Sequence, residues 1–256
     1  AIIVTVLASF ARKASRLTLA KIFDSFIAGV SSALPVAAAC ATAGIIIGVI
    51  TLTGLGLKFS SLIIAVSGDN LFLALFLTMV ASLILGMGLP TAAAYILVAT
   101  LVAPALVSLG VDLLAAHLFV FYGAMLSSIT PPVAMAAYAA AGLAGANPFK
   151  IALCSAQFGI CAFIMPFFFV LNPALIGIGS AVTIGIFVVK AVIACVCLAF
   201  AIQGWVFSRL NVISRAGFFT GALLMMMPQL KISMIGAALL VALCLFAFLS
   251  RPKIEE

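Results

Sequence analysis

The sequence predicts an all-α polytopic membrane protein, and three observations lead there. Of 256 residues, 67% are hydrophobic and only 7% charged, for a mean hydropathy of +1.48; a soluble domain of this size needs a charged surface that this composition cannot supply. The long runs are apolar all round rather than alternating, which excludes an outer-membrane barrel. Breaks rich in Gly, Pro, Ser and Thr cut the longest runs. Hydrocarbon tolerates a broken backbone only where protein or a polar cavity satisfies it, so each break is a candidate site.

The chain opens inside an apolar run, residues 1–10, and its first residue is Ala1. No basic segment and small-residue cleavage site precedes that run, so a piece of a longer polypeptide is expected. Arg12, Lys13, Arg16 and Lys21, with Asp24, flank an amphipathic stretch reaching residue 30. It reads as an interfacial or connecting helix on the cytoplasmic side. Residues 31–35 punctuate it, and residues 36–53 form a span. Gly44 and Gly48, four apart, let another helix approach closely, so that face is expected to pack on protein. Gly54-Leu55-Gly56 ends the span, residues 57–66 are too short to cross, and Ser67-Gly68-Asp69-Asn70 is a turn by composition.

Residues 70–111 carry no charge. Two helical pieces, 71–85 and 92–108, are joined there by an unwound segment, Gly86-Met87-Gly88-Leu89-Pro90-Thr91, because glycine and proline remove helix propensity and a backbone donor. Asp112 is the expected N-cap of the next helix. Residues 113–126 and 133–146 then flank Ser127-Ser128-Ile129-Thr130-Pro131-Pro132. Each arm reaches about 21 Å, short of a hydrocarbon core of about 30 Å. We read these arms as a re-entrant hairpin rather than one helix kinked at Pro131, since two prolines and three hydroxyls exceed what a kink needs.

Asn147-Pro148 and Lys150 mark an exit to water. Residues 149–171, 181–202 and 232–249 read as spans; Lys190, inside the second, is expected to snorkel to a boundary. Trp205, Arg209 and Arg215 read as an interface anchor and residues 217–227 as an interfacial segment. Three regions result: 1–30, an apolar run and basic connecting helix; 31–175, a core with both breaks; and 176–256, C-terminal membrane helices.

Composition also narrows function. The net charge of +7 sits at segment ends, where the positive-inside rule puts Lys and Arg, and does not indicate nucleic-acid binding. Six cysteines lie in apolar runs without metal-ligand spacing to a histidine and read as small buried hydrophobes. One histidine, His117, and five acidic residues offer no pair placed for general acid–base work, and no serine sits in a nucleophile elbow. His117 reads as structural, and an enzyme is not expected. Transport fits better: discontinuous helices expose carbonyls for Na⁺ and half-helix N-termini for anions. Both breaks offer neutral oxygens without an acid, which suits Na⁺ and an anionic substrate, with no cofactor beyond the coupling ion.

The segment Gly86-Met87-Gly88-Leu89-Pro90-Thr91-Ala92-Ala93-Ala94-Tyr95-Ile96 closely resembles the large permease subunit of TRAP (tripartite ATP-independent periplasmic) transporters, the DctM type. Ile129-Thr130-Pro131-Pro132-Val133-Ala134 and Gly142-Leu143-Ala144-Gly145-Ala146-Asn147-Pro148 match the same family. Leu34-Pro35-Val36-Ala37-Ala38-Ala39-Cys40 and Thr51-Leu52-Thr53-Gly54-Leu55-Gly56-Leu57-Lys58 resemble the version in which small and large permease subunits are fused.

The resemblance, over residues 23–175, implies an elevator-type importer in the bacterial inner membrane. It would be driven by Na⁺ and fed organic acids by a periplasmic solute-binding protein of the TAXI type. It implies that Ser127, Ser128, Thr130 and Pro131 lie at the second re-entrant hairpin, with Na⁺ on Ser128 and Thr130. Gly86, Gly88 and Thr91 would face them from a broken helix. It further implies that only the second of two related halves is present, the first lying outside this sequence with the small permease subunit or its fused equivalent. Two alternatives differ in class: another ion-coupled carboxylate transporter or antiporter without a binding protein, and a non-transporting membrane assembly subunit.

Overall fold

A computed structural model of the chain describes residues 18–68 and 70–249. The apolar run at 1–10, the basic residues Arg12, Lys13 and Arg16, and Asp69 lie outside the described residues. Eleven α-helices are described: α1 Leu19–Thr53, α2 Leu55–Ser67, α3 Leu71–Gly86, α4 Thr91–Ser108, α5 Leu113–Leu126, α6 Met135–Ala144, α7 Pro148–Phe158, α8 Ile160–Leu171, α9 Ala181–Gln203, α10 Val212–Met225 and α11 Leu230–Leu249. Among the described residues, five segments are long and apolar enough to cross a membrane: α1, α4, α7 with α8, α9 and α11. The chain is an all-α polytopic membrane protein.

Helix ends follow local chemistry. Side-chain oxygens of Thr18, Asn70, Asp112, Asn147, Ser180 and Asn211 accept first-turn N–H groups at six N-termini. Gly54, at φ +64, closes α1 and opens α2 in one residue, a left-handed conformation that costs glycine little.

Two expectations are corrected. Residues 31–35 do not end a helix; α1 runs through them for 35 residues, because one proline removes one hydrogen bond and neighbouring turns sustain the rest. Within this chain the Gly44 and Gly48 positions meet nothing within 4 Å; α1 packs on α4, and its Ile47 and Ile50 join the main core. Residues 217–225 belong to α10, which packs between α9 and α11 with Phe218 and Ala222 buried.

The second correction concerns the two breaks, whose roles are exchanged. α3 and α4 pack along each other across a four-residue tip, residues 87–90, and form the helical hairpin. α5 and α6 do not pack together; α5 packs on α8 and α6 on α7. The segment Pro148–Leu171 has 24 residues, about 36 Å of helix. It lines up with α5 and α6 in turn, and its length matches theirs combined. A hairpin would have folded α6 back onto α5. α5 and α6 are therefore two pieces of one discontinuous span.

The main core joins α1–α5, centred on Leu75, Val98, Leu106 and Phe119. A second cluster joins α8 to α9, α10 and α11 around Leu198, Phe218 and Met226.

Candidate functional site

The two breaks meet. α3 and α5 run parallel, with Ser82 against Gly123 and Gly86 against Ser127. A Cβ placed on Gly86 would lie 2.8 Å from the Ser127 Oγ and 3.0 Å from the Ala124 carbonyl oxygen. One placed on Gly123 would lie 2.5 Å from the Ser82 Cβ. Small residues four apart on each helix thus let the backbones touch. Because the helices are parallel, their C-terminal ends stop side by side, bringing the negative ends of two helix dipoles to one place.

Hydroxyls close the end of α5. The Ser127 Oγ donates to the Ala124 carbonyl (2.6 Å), the Ser128 Oγ to Met125 (2.8 Å), and the Thr130 Oγ1 to Leu126 (2.7 Å). These carbonyls are the ones a helix leaves without intrahelical partners when it stops. Each hydroxyl donates its proton and keeps lone pairs free to accept or ligate. Ser127 is 1% exposed, so its role is packing and capping. Ser128, Thr130 and Pro131 are half-buried, and Gly88 and Thr91 are exposed at the hairpin tip.

Beyond the tip the backbone is held in an unusual shape. The Pro131–Pro132 peptide is cis, and Ala134 adopts φ +35. A left-handed alanine costs about 1–2 kcal/mol, and surrounding bonds enforce it. The Ala136 N–H donates to the Ser128 carbonyl (3.0 Å), the Tyr138 hydroxyl donates to the Pro132 carbonyl (2.6 Å), and the Ala134 side chain is fully buried. The helices that start after the breaks, α4 and α6, carry no side-chain cap bond, and residues 113–149 carry no Asp, Glu, Lys or Arg.

Of the residues singled out from sequence, Gly86, Ser127, Ser128 and Thr130 come together, while Gly88 and Thr91 stand at the rim of the tip. Sequence reading missed Ser82 and Gly123, which set the approach of the two helices. The signal was available in the four-residue spacing of Thr78, Ser82 and Gly86 on one helix and of Gly123 and Ser127 on the other. His117 lies elsewhere, its Nδ1 3.0 Å from the Tyr95 hydroxyl between α4 and α5, as a structural histidine would.

A hairpin tip thus meets a broken helix, with neutral oxygens at the junction. The sequence model of the family described as "Tripartite ATP-independent periplasmic transporter, DctM component" matches residues 1–184. The chain belongs to that family. Both breaks, the α3–α4 hairpin and the discontinuous α5–α6 span fall inside the matched region of this DctM permease, whereas α10 and α11 fall beyond it. No curated protein and no solved structure matches the chain.

Proposed function

We propose that this DctM permease chain supplies one half of a Na⁺-coupled site for organic acids, the acids being delivered by a periplasmic solute-binding protein. The observation that carries the reading is the abutment of Gly86 on Ser127 and Ala124, which joins two dipole ends of the same sign at one junction. A hard monovalent cation suits that junction. The carbonyls at the ends of α3 and α5 and the free lone pairs of Ser128 and Thr130 are neutral oxygen ligands, and the dipoles favour positive charge. A carboxylate suits the opposite feature, the uncapped N-terminal turns of α4 from Thr91 and of α6 from Met135. Cation and anion would then be bound within a few residues of each other, so each neutralises the field the other needs removed.

In this reading the chain is the second of two related halves in an inner-membrane permease that works by an elevator movement. The small subunit, or its fused equivalent, belongs to the same permease, and the receptor is of the TAXI type. No helix end at the junction is closed by an acid or a base among the described residues, which favours external ions over a built-in ion pair.

The test is the Na⁺ concentration dependence of uptake by the permease carrying Ser128→Ala with Thr130→Ala. The expected result is a raised half-saturating Na⁺ concentration, by tenfold or more if each ligand contributes about 1 kcal/mol. An unchanged Na⁺ dependence removes these residues from the site.

A further inference from the structure

The tail holds a second helical hairpin, and the carbonyls that end its first arm face neighbouring elements. α10 has only 14 residues, about 21 Å of helix, and runs back along α9 from the turn that follows Gln203. It stops level with Lys190, thirteen residues before the end of α9. There three consecutive carbonyls of the tip each receive a side-chain donor from a different element. The Ser233 hydroxyl of α11 donates to Met225 (2.8 Å) and the Asn172 amide to Met226 (2.9 Å). The Lys190 ammonium of α9 reaches the Met227 carbonyl (3.4 Å). The same ammonium lies 4.4 Å from the centroid of the Phe187 ring, a second source of negative potential. The only carboxylates among the described residues are Asp24 and Asp112, and neither belongs to the tail. The Lys190 ammonium, half-buried, is turned onto the carbonyl end of α10.

We propose that Lys190 is a tethered cation: its ammonium takes, at the tip of the α10–α11 hairpin, the place that a bound monovalent ion would take at a half-helix C-terminus. The tip is thereby closed by the chain's own charge and needs no ion from solution. Packing makes the tip intolerant of another solution, since a Cβ on Gly236 would overlap the Met225 amide and lie 2.8 Å from the Gly221 carbonyl.

The proposal is tested by thermal unfolding of the purified full chain in detergent, with variants at one position. Lys190→Met keeps length and loses charge, and its Tm should fall by roughly 3–10 °C, while Lys190→Arg should retain most of the wild-type value. Lys190→Ala leaves room for an exogenous amine. Its Tm should recover saturably in n-propylammonium chloride and not in tetramethylammonium chloride at equal ionic strength, with wild type responding to neither. A Lys190→Met variant as stable as wild type overturns the proposal. So does recovery of Lys190→Ala in both salts or in neither. If Lys190→Ala does not fold, the Met and Arg variants decide alone.

Discussion

Ser127, Ser128 and Thr130 are chemically alike and do the same local work, each donating to a carbonyl of the last turn of α5. Burial separates them. Ser127, wedged under Gly86, is a packing residue, so Ser127→Ala should cost about 1 kcal/mol of stability, read as a lowered Tm, with the Na⁺ dependence of uptake unchanged. Ser128 and Thr130, half-buried beside the tip, should show the reverse. One turn before Ser82, Thr78 is fully buried and its Oγ1 has no hydrogen-bond partner. An orphaned hydroxyl carries its whole desolvation cost. Thr78→Val, nearly isosteric, should therefore stabilise the protein by about 1 kcal/mol, measured as a raised Tm; a lowered Tm would mean that the hydroxyl has a partner in the membrane.

At the scale of helices, the positions of both breaks were legible and their partners were not. Gly86, Gly88 and Pro90 stop a helix wherever it lies, and so do Pro131 and Pro132, because propensity and missing donors are local. Whether the next helix folds back or carries on depends on what it packs against, here α7 for α6 and α3 for α4. Arms of similar length gave no means to tell the two cases apart. The same limit applies to α10, where apolar length alone did not reveal the close packing of Gly217 and Gly221 against Leu243 and Leu240. Proline at 35 misled in the other direction, marking a boundary that a 35-residue helix passes through. The exchange of roles has a direct consequence. Leu113 and Ala146, both exposed, begin and follow a discontinuous span, so single cysteines there should react with membrane-impermeant maleimide from opposite sides of the membrane. Labelling from one side would restore the α5–α6 hairpin.

Across the described residues, helix ends differ in whether a cation helps to close them. In the tail, cations join the Ser233 hydroxyl and the Asn172 amide. Lys190 meets the tip after α10, and Arg215 donates to the Ala201 and Ile202 carbonyls at the end of α9, both at 2.8 Å. In the core, the ends of α3 and α5 are closed by backbone N–H groups and hydroxyls, and Lys and Arg take no part in those bonds. A protein that neutralises some half-helix ends with its own charges and leaves two adjacent ones to neutral oxygens has a place where an external cation changes the energy most. That contrast is the physical basis of the proposed coupling of Na⁺ to an organic acid in this DctM permease. The most direct measurement is uptake of labelled organic acids into proteoliposomes containing the complete permease, with and without its solute-binding protein and an inward Na⁺ gradient. Accumulation that requires both the binding protein and the gradient is the predicted result; accumulation that proceeds without either one would contradict the account.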